Sequence, residues 1–482
     1  MQRPYLVRGW IAVLCLCLLA GCTTTNLHGA EHARAGLVEV WATSADGSRK
    51  LAAQPALALG TAGAPEADQI TIDLTDEGPA IVGFGAAFTD ASAHLFQNVL
   101  RRPERDRLFR ELFHTGGLGL SFIRVPIGAS DFSAEHYSLN DLPAGQTDPG
   151  LRGFTMDRVK MAQIPALRAA KRVNPGLVIM ASPWSAPGWM KTSGSLVRGH
   201  LKPEHQGAYA RYFVRYLDGM AAAGLPVRYV SMQNEPDFEP ADYPGMRAGS
   251  SERAEFIGKH LGPALAARRD EVGILEWDHN WDKPEQPLAV LADPDARKYV
   301  SGVAWHCYGG DAAVMRQVKA AHPDKDLFFT ECSGGAWAPD WGGTLGWMTD
   351  NLIIATLRAG GRGVILWNMA LDDQAGPHLG GCGNCRGVVT IDRQTRAITR
   401  NVEYYVLGQI SRFARPGARV QRSNGGAAGL KSVVLRNVDG TLVLLVHNTL
   451  PRELPLTAKA GTTRFRTTVP GGEVVTFVWH PT

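Results

Sequence analysis

The chain has 482 residues, 45% hydrophobic and 20% charged, which suits a soluble globular protein with one large domain and a smaller companion. Its net charge of +4 is spread along the sequence with no basic run interleaved with aromatics, so nucleic acid is not an expected partner. Twelve tryptophans is a high count, and several fall at expected strand ends, where an indole face can stack on a sugar.

Arg3 and Arg8 precede an apolar run over residues 9–20, too short for a membrane span, so residues 1–21 form an export signal. The run closes on Leu19-Ala20-Gly21-Cys22, which resembles the lipobox of bacterial lipoproteins. That resemblance implies a lipid-modified Cys22, a loose tether over 22–36, and a protein exported and lipid-anchored to the bacterial cell envelope. Cys15 and Cys17 leave with the signal, and Cys307, Cys332, Cys382 and Cys385 remain. Cys382-Gly-Asn-Cys385 lies in a glycine-rich loop with no second C-x-x-C or paired histidines, which favours a local disulfide over half a zinc site.

Residues 37–78 alternate apolar and polar in the manner of β-strands. From about residue 79 to 415, strands alternate with amphipathic helices, the signature of βα repetition around a parallel sheet. Strand candidates cover 82–88, 120–125, 177–181, 227–233, 272–277, 300–306, 327–330 and 363–367. Helices are expected over 105–114, 156–173, 205–223, 251–268, 311–321, 345–359 and 401–413. Eight βα units on this scale predict a (β/α)8 TIM barrel; a doubly wound sheet would announce a phosphate-binding glycine turn that Gly83-Phe-Gly85 does not complete. Residues 416–482 return to β texture. Because each β segment is too small to bury a core alone, the two are expected to form one accessory β-sandwich.

Two of the barrel strands end on a carboxylate. The run from Val227 stops at Asn234-Glu235-Pro236, where the proline cannot join a sheet ladder and pushes Glu235 into extended or turn geometry. The run from Leu327 stops at Glu331. Strand counting places these acids after the fourth and seventh strands, at the barrel end where active sites are built. Two carboxylates converging there can split acid and nucleophile roles on a glycosidic bond, with retention if they stand about 5–5.5 Å apart. Other strand ends carry Asp131, Trp184, His306, Tyr308 and Trp367, a set of hydroxyl-binding and stacking groups fit for a sugar pocket.

The motifs GFGAAFTDA (83–91), IRVPIGASDFS (123–133), ASPWSAPGWMKT (181–192), QNEP (233–236), AWHCY (304–308), TEC (330–332) and LWNMAL (366–371) resemble glycoside hydrolase family 30, close to the glucosylceramidase type. The resemblance places the chain in the clan of retaining β-glycosidases whose acids lie on barrel strands four and seven. It implies Glu235 as general acid/base, Glu331 as nucleophile, and Asn234 as the amide at the sugar's 2-hydroxyl. By the same resemblance Asp131, Trp184 and Trp367 hold the terminal sugar, Tyr308 lies near the nucleophile, and Arg124 is a buried cation that keeps acids ionised. Glu331 must then be charged to attack and Glu235 protonated to donate. The chain departs from the glucosylceramidase pattern over residues 377–386, in a loop that in the family helps choose the leaving group.

The first expectation is therefore an exo-acting β-glucosidase of glucosylceramidase type acting on a glycolipid or glycan. A β-1,6-glucanase or β-xylosidase of the same family is the alternative, and an inactive carbohydrate-binding lipoprotein the rival of another class. No cofactor is expected, and no H-E-x-x-H or similar ligand pair calls for a catalytic metal.

Overall fold

The computed structural model describes residues 36–481 apart from 65 and 67, so the expected leader, Cys22 and the tether up to residue 35 lie outside the described residues. Eight strands build the barrel: β1 (Gly83–Ala87), β2 (Phe122–Ile127), β3 (Val178–Pro183), β4 (Tyr229–Ser231), β5 (Gly273–Asn280), β6 (Val300–His306), β7 (Asp326–Glu331) and β8 (Gly361–Asn368). All ladders between them are parallel. The ring closes between β1 and β2 where Ser121 N donates to Phe84 O (3.0 Å) and Phe88 N to Arg124 O (2.9 Å).

Side chains alternate along a strand, so each barrel strand points every second residue inward. The lower inward layer is apolar and buried: Phe122, Met180, Tyr229, Leu275, Ala304, Phe328 and Ile365, one from each of β2 to β8. β1 makes room for it with glycine, since a Cβ on Gly85 would stand 2.0 Å from Phe122 O. Fully burying each large side chain of this plug is worth about 1.5–3 kcal/mol. Two residues further up, the same face turns polar, with Arg124, Ser182, Ser231, His306 and Thr330 all buried beside Trp367.

β5 breaks the count. Trp277 and Asp278 have φ of 73° and 52°, and the pairing with β6 jumps from Ala304↔Trp277 to Trp305↔His279. This is a β-bulge, and the extra residue it inserts is Asp278, whose carboxylate is thereby turned into the polar layer.

The expected helices are present, but two are interrupted by wider π turns at Ile257–Leu261 and Thr349–Ile354. In the first, Pro263 follows at once and lacks the N–H that would continue the α ladder. Among the described residues no helix is long and apolar enough to cross a membrane.

The second body is the expected accessory β-domain, a hydrogen-bonded run of ten strands that folds over so that Phe465 packs on Phe477, ring centroids 5.1 Å apart, between strands distant in the sheet order. Leu37–Thr43 pairs antiparallel with Val474–Trp479, and Ile70–Ala80 lies between Arg419–Ser423 and Leu454–Ala460. Strands from both ends of the chain thus share one core, with Val38, Ile72, Leu444, Leu456 and Phe477 buried in it. The sheet is seated on the barrel by Arg362, whose Nε donates to Ala80 O (2.9 Å), and by Arg412, stacked 4.4 Å from the Trp41 ring.

Candidate active site

Asp278 is the hub of the polar layer. Its Oδ2 accepts from Arg124 Nη2 (2.7 Å), Ser182 Oγ (2.8 Å) and Ser231 Oγ (2.6 Å). Its Oδ1 accepts from Thr330 Oγ1 (2.8 Å) and meets His306 Nε2 at 3.0 Å. Burial pushes this carboxyl up, but the Arg124 guanidinium and the His306 imidazole beside it hold it well below the usual range.

From this hub one arm reaches each expected catalytic acid. Arg124 Nη1 donates to Glu331 Oε2 (2.5 Å), and the Tyr308 hydroxyl donates to Glu331 Oε1 (2.9 Å). On the other side, His306 Nδ1 lies 3.1 Å from Glu235 Oε1. The Glu331 carboxyl is raised, and the negative charge of Glu235 is one of the influences that raise it. Burial is the largest of these, with His306 and Arg124 pulling the other way. Glu235 is raised by burial too, but the imidazoles of His279 and His306 outweigh it and hold the carboxyl below its ordinary value. His306 loses proton affinity through burial and regains more from the surrounding carboxylates, which lift it to about 9.

The backbone at Glu235 confirms a turn, with Phe238 N donating to Glu235 O (2.9 Å), but the residue itself is left-handed at φ 46°. Such a conformation in a non-glycine residue costs about 1–3 kcal/mol and persists only where its surroundings impose it. Here Glu235 N donates to Asp278 O (3.1 Å) and Asn234 N to Pro183 O (2.8 Å), fixing the turn to two neighbouring strand ends.

The other expected residues gather around these acids. Arg124 Nη2 donates to Asn234 Oδ1 (2.7 Å), which leaves the Asn234 NH2 as the half of the amide turned to other work. Trp184 and Trp367 stack on each other at 5.0 Å, with the Arg124 guanidinium 4.8 Å from the Trp184 ring. Asp131 is buried, and burial together with the charges of Glu331 and Glu235 raises its carboxyl well above the ordinary range. His306 is the exception to the expected sugar-binding role. It has no exposed surface, and both ring nitrogens face carboxylates, because it belongs to the inward layer beneath the mouth and not to its wall.

Sequence reasoning missed Asp278, His279 and Tyr243. Asp278 and His279 lie near the end of β5, just past the expected run 272–277, so the strand-end rule that found the two glutamates pointed there as well. Tyr243 packs on the Phe132–Trp184–Trp367 cluster. Its phenol is pushed up by burial first and then by the nearby carboxylates of Asp131, Glu235 and Glu331. It sits in the aperiodic loop Ala241-Asp242-Tyr243-Pro244 with no sequence signal of its own.

Cys382 and Cys385 form the expected disulfide. A second one, unexpected, joins Cys307 to Cys332 and so ties the residue after His306 to the residue after Glu331. The loop over residues 377–386 lies on the sugar-holding acid: Leu379 N donates to Asp131 O (2.8 Å), and a Cβ on Gly381 would stand 2.5 Å from Asp131 Cβ. Glu235, His279 and His306 place three possible metal-ligand atoms within 4.8 Å of one another.

Comparison with known proteins gives consistent results. The model of the glycosyl hydrolase family 30 TIM-barrel domain matches residues 81–414. An endo-1,6-β-D-glucanase of Aspergillus fumigatus is 34% identical, over 95% of this chain and 98% of its own. The lysosomal acid glucosylceramidase of Mus musculus is 31% identical, over 83% of this chain and 81% of its own. Among solved structures, an endo-β-1,6-glucanase superposes with a TM-score of 0.85 at 28% identity, covering 92% of this chain and 99% of that one.

Proposed function

The chain belongs to glycoside hydrolase family 30 and is an O-glycosyl hydrolase, and on that footing we propose that it cleaves β-1,6-glucan internally, with retention of configuration. What carries the choice of substrate is the end-to-end similarity to endo-1,6-β-glucanases of three fungi at 34–35% identity. The glucosylceramidase relatives are also similar, but at lower identity, 29% and 31%. The β-1,6-glucanase alternative is therefore preferred to the glucosylceramidase expectation. A polymer substrate also suits the mouth, where Phe238, Tyr308 and Trp337 stand exposed on the segments that follow β4, β6 and β7 and offer ring faces to successive sugars.

In this reading Glu331 attacks the anomeric carbon while Glu235 protonates the departing oxygen; Glu235 then takes a proton from water as the glycosyl ester is hydrolysed. Arg124 and Tyr308 hold the Glu331 carboxylate by one oxygen each, which aims it, and the Arg124 charge favours its ionised form against the burial that raises it. In the resting site the proton that Glu235 needs lies on His306 Nδ1, across a 3.1 Å hydrogen bond. A sugar that excludes water disfavours the imidazolium–carboxylate pair relative to the neutral pair, so binding moves that proton onto Glu235. Asn234 contributes its NH2 to the 2-hydroxyl, and the Asp131 carboxyl contributes to the hydroxyls further round the ring.

Purified protein offered β-1,6-glucan, an aryl β-glucoside, glucosylceramide and xylan should release 1,6-linked oligosaccharides from the first far faster than glucose from the others. Cleavage of glucosylceramide with β-1,6-glucan left intact would reverse the assignment.

A further inference from the structure

We propose that Glu235, His279 and His306 form a binding site for a zinc-class divalent cation, and that a cation held there silences the enzyme. Three observations carry this. Glu235 Oε1 lies 3.1 Å from His306 Nδ1 and 3.6 Å from His279 Nδ1. Ligand atoms at the corners of a tetrahedron with bonds of about 2.0–2.1 Å are about 3.3 Å apart, so both spacings are near what zinc imposes.

The second observation is the unmet need of His279. This imidazole is 8% exposed, and its Nδ1 is a buried atom without a hydrogen-bond partner, aimed at the Glu235 carboxylate from beyond hydrogen-bond length. A buried polar atom left in that state costs about 1–3 kcal/mol, which a bound cation would recover. The third is the second tier. His306 Nε2 faces Asp278 Oδ1 at 3.0 Å, the carboxylate–histidine arrangement that keeps the proton on the far nitrogen and presents Nδ1 to a metal.

Charge favours occupancy as well. Arg124 and the His306 ring lie against the carboxyl groups of Asp278, Glu235 and Glu331, so three acids face one permanent cation around the position the metal would take. Two imidazoles and one carboxylate select zinc or copper over magnesium or calcium, which prefer oxygen ligands. The metal would occupy the oxygen of Glu235 that must carry the catalytic proton. Binding and turnover are then mutually exclusive.

The test is equilibrium dialysis of the intact, tag-free protein against Zn2+, with the ligand-field absorption of Co2+ as a second readout. Expected are one tightly held Zn2+ per chain, a tetrahedral Co2+ spectrum and no retention of Mg2+. His279→Gln should weaken Zn2+ binding at least about tenfold. Glu235→Gln, isosteric at the rim of the site, should do the same and serves if the histidine variant fails to fold. Neither readout requires activity, so failure of the glucanase reading leaves the test intact. Zn2+ retention unchanged in both variants, or absent at about 1 mM in the wild type, would overturn the site.

Discussion

Asp278 carries more of the site than either catalytic acid. It is wholly buried, accepts from Arg124 and three hydroxyls, faces His306, and is the one group connected to both the Glu235 and the Glu331 sides. Removing one member of a buried ion pair costs about 3–5 kcal/mol, because the partner is left uncompensated. Asp278→Asn should therefore lower the melting temperature markedly and change its pH dependence on both sides. The depressed carboxyl of Asp278 contributes stability above its unfolded value of about 3.9, lost on acidification. The raised imidazole of His306, at about 9, contributes stability that is complete below its unfolded value and lost as pH rises through about 9. The variant lacks the first contribution and should suffer the alkaline loss at lower pH, since Asp278 no longer favours the imidazolium. Scanning calorimetry across the pH range checks both limbs. A variant with the wild-type profile would show that Asp278 is not the hub described here.

At the scale of elements, the mouth depends on loops tied to one another rather than on strands alone. Lys191, buried after β3, donates to Ser185 Oγ (2.7 Å), Leu196 O (2.8 Å) and Gly245 O (2.8 Å), spending all three ammonium donors. Burial nevertheless draws its pKa down to about 7. The segment it ties at Gly245 also carries Tyr243, which lies against the site. Lys191→Met keeps the stem but strands two carbonyls, at a cost of about 1–3 kcal/mol. The expected result is a lower melting temperature with KM raised more than kcat is lowered; a change in kcat alone would place Lys191 in the chemistry instead. The elements themselves were legible to different degrees. All eight barrel strands overlap runs visible in the sequence, because buried parallel strands are apolar and are punctuated by turn residues. The π turns and the β5 bulge were not, since both depend on how neighbours in the fold accommodate Pro263 and Asp278.

Across the whole molecule, the two acids were found because each terminates an apolar run, a local signal that survives without any knowledge of tertiary structure. His306 was found by the same rule and given the wrong neighbour, because the rule says that a side chain stands at a strand end and not whether it points under the mouth or around it. The Cys307–Cys332 bridge escaped for a related reason: it follows from β6 and β7 being adjacent with His306 opposite Glu331, which strand counting alone does not supply. The joining of residues 37–80 with the C-terminal strands was foreseen from size, since neither segment could bury a core alone. That they complete one sheet is a matter of register, which the alternation pattern leaves open.

The account rests on Glu331 being the group that bonds to the sugar while Glu235 handles the proton. Trapping the enzyme with an activated 2-deoxy-2-fluoro-β-glucoside and sequencing the labelled peptide by mass tests this directly. One fluoroglucosyl group on Glu331, displaced on adding an acceptor sugar, is the predicted result. A label on Glu235, Asp131 or Asp278, or steady turnover of the probe with inversion and no label, would contradict it.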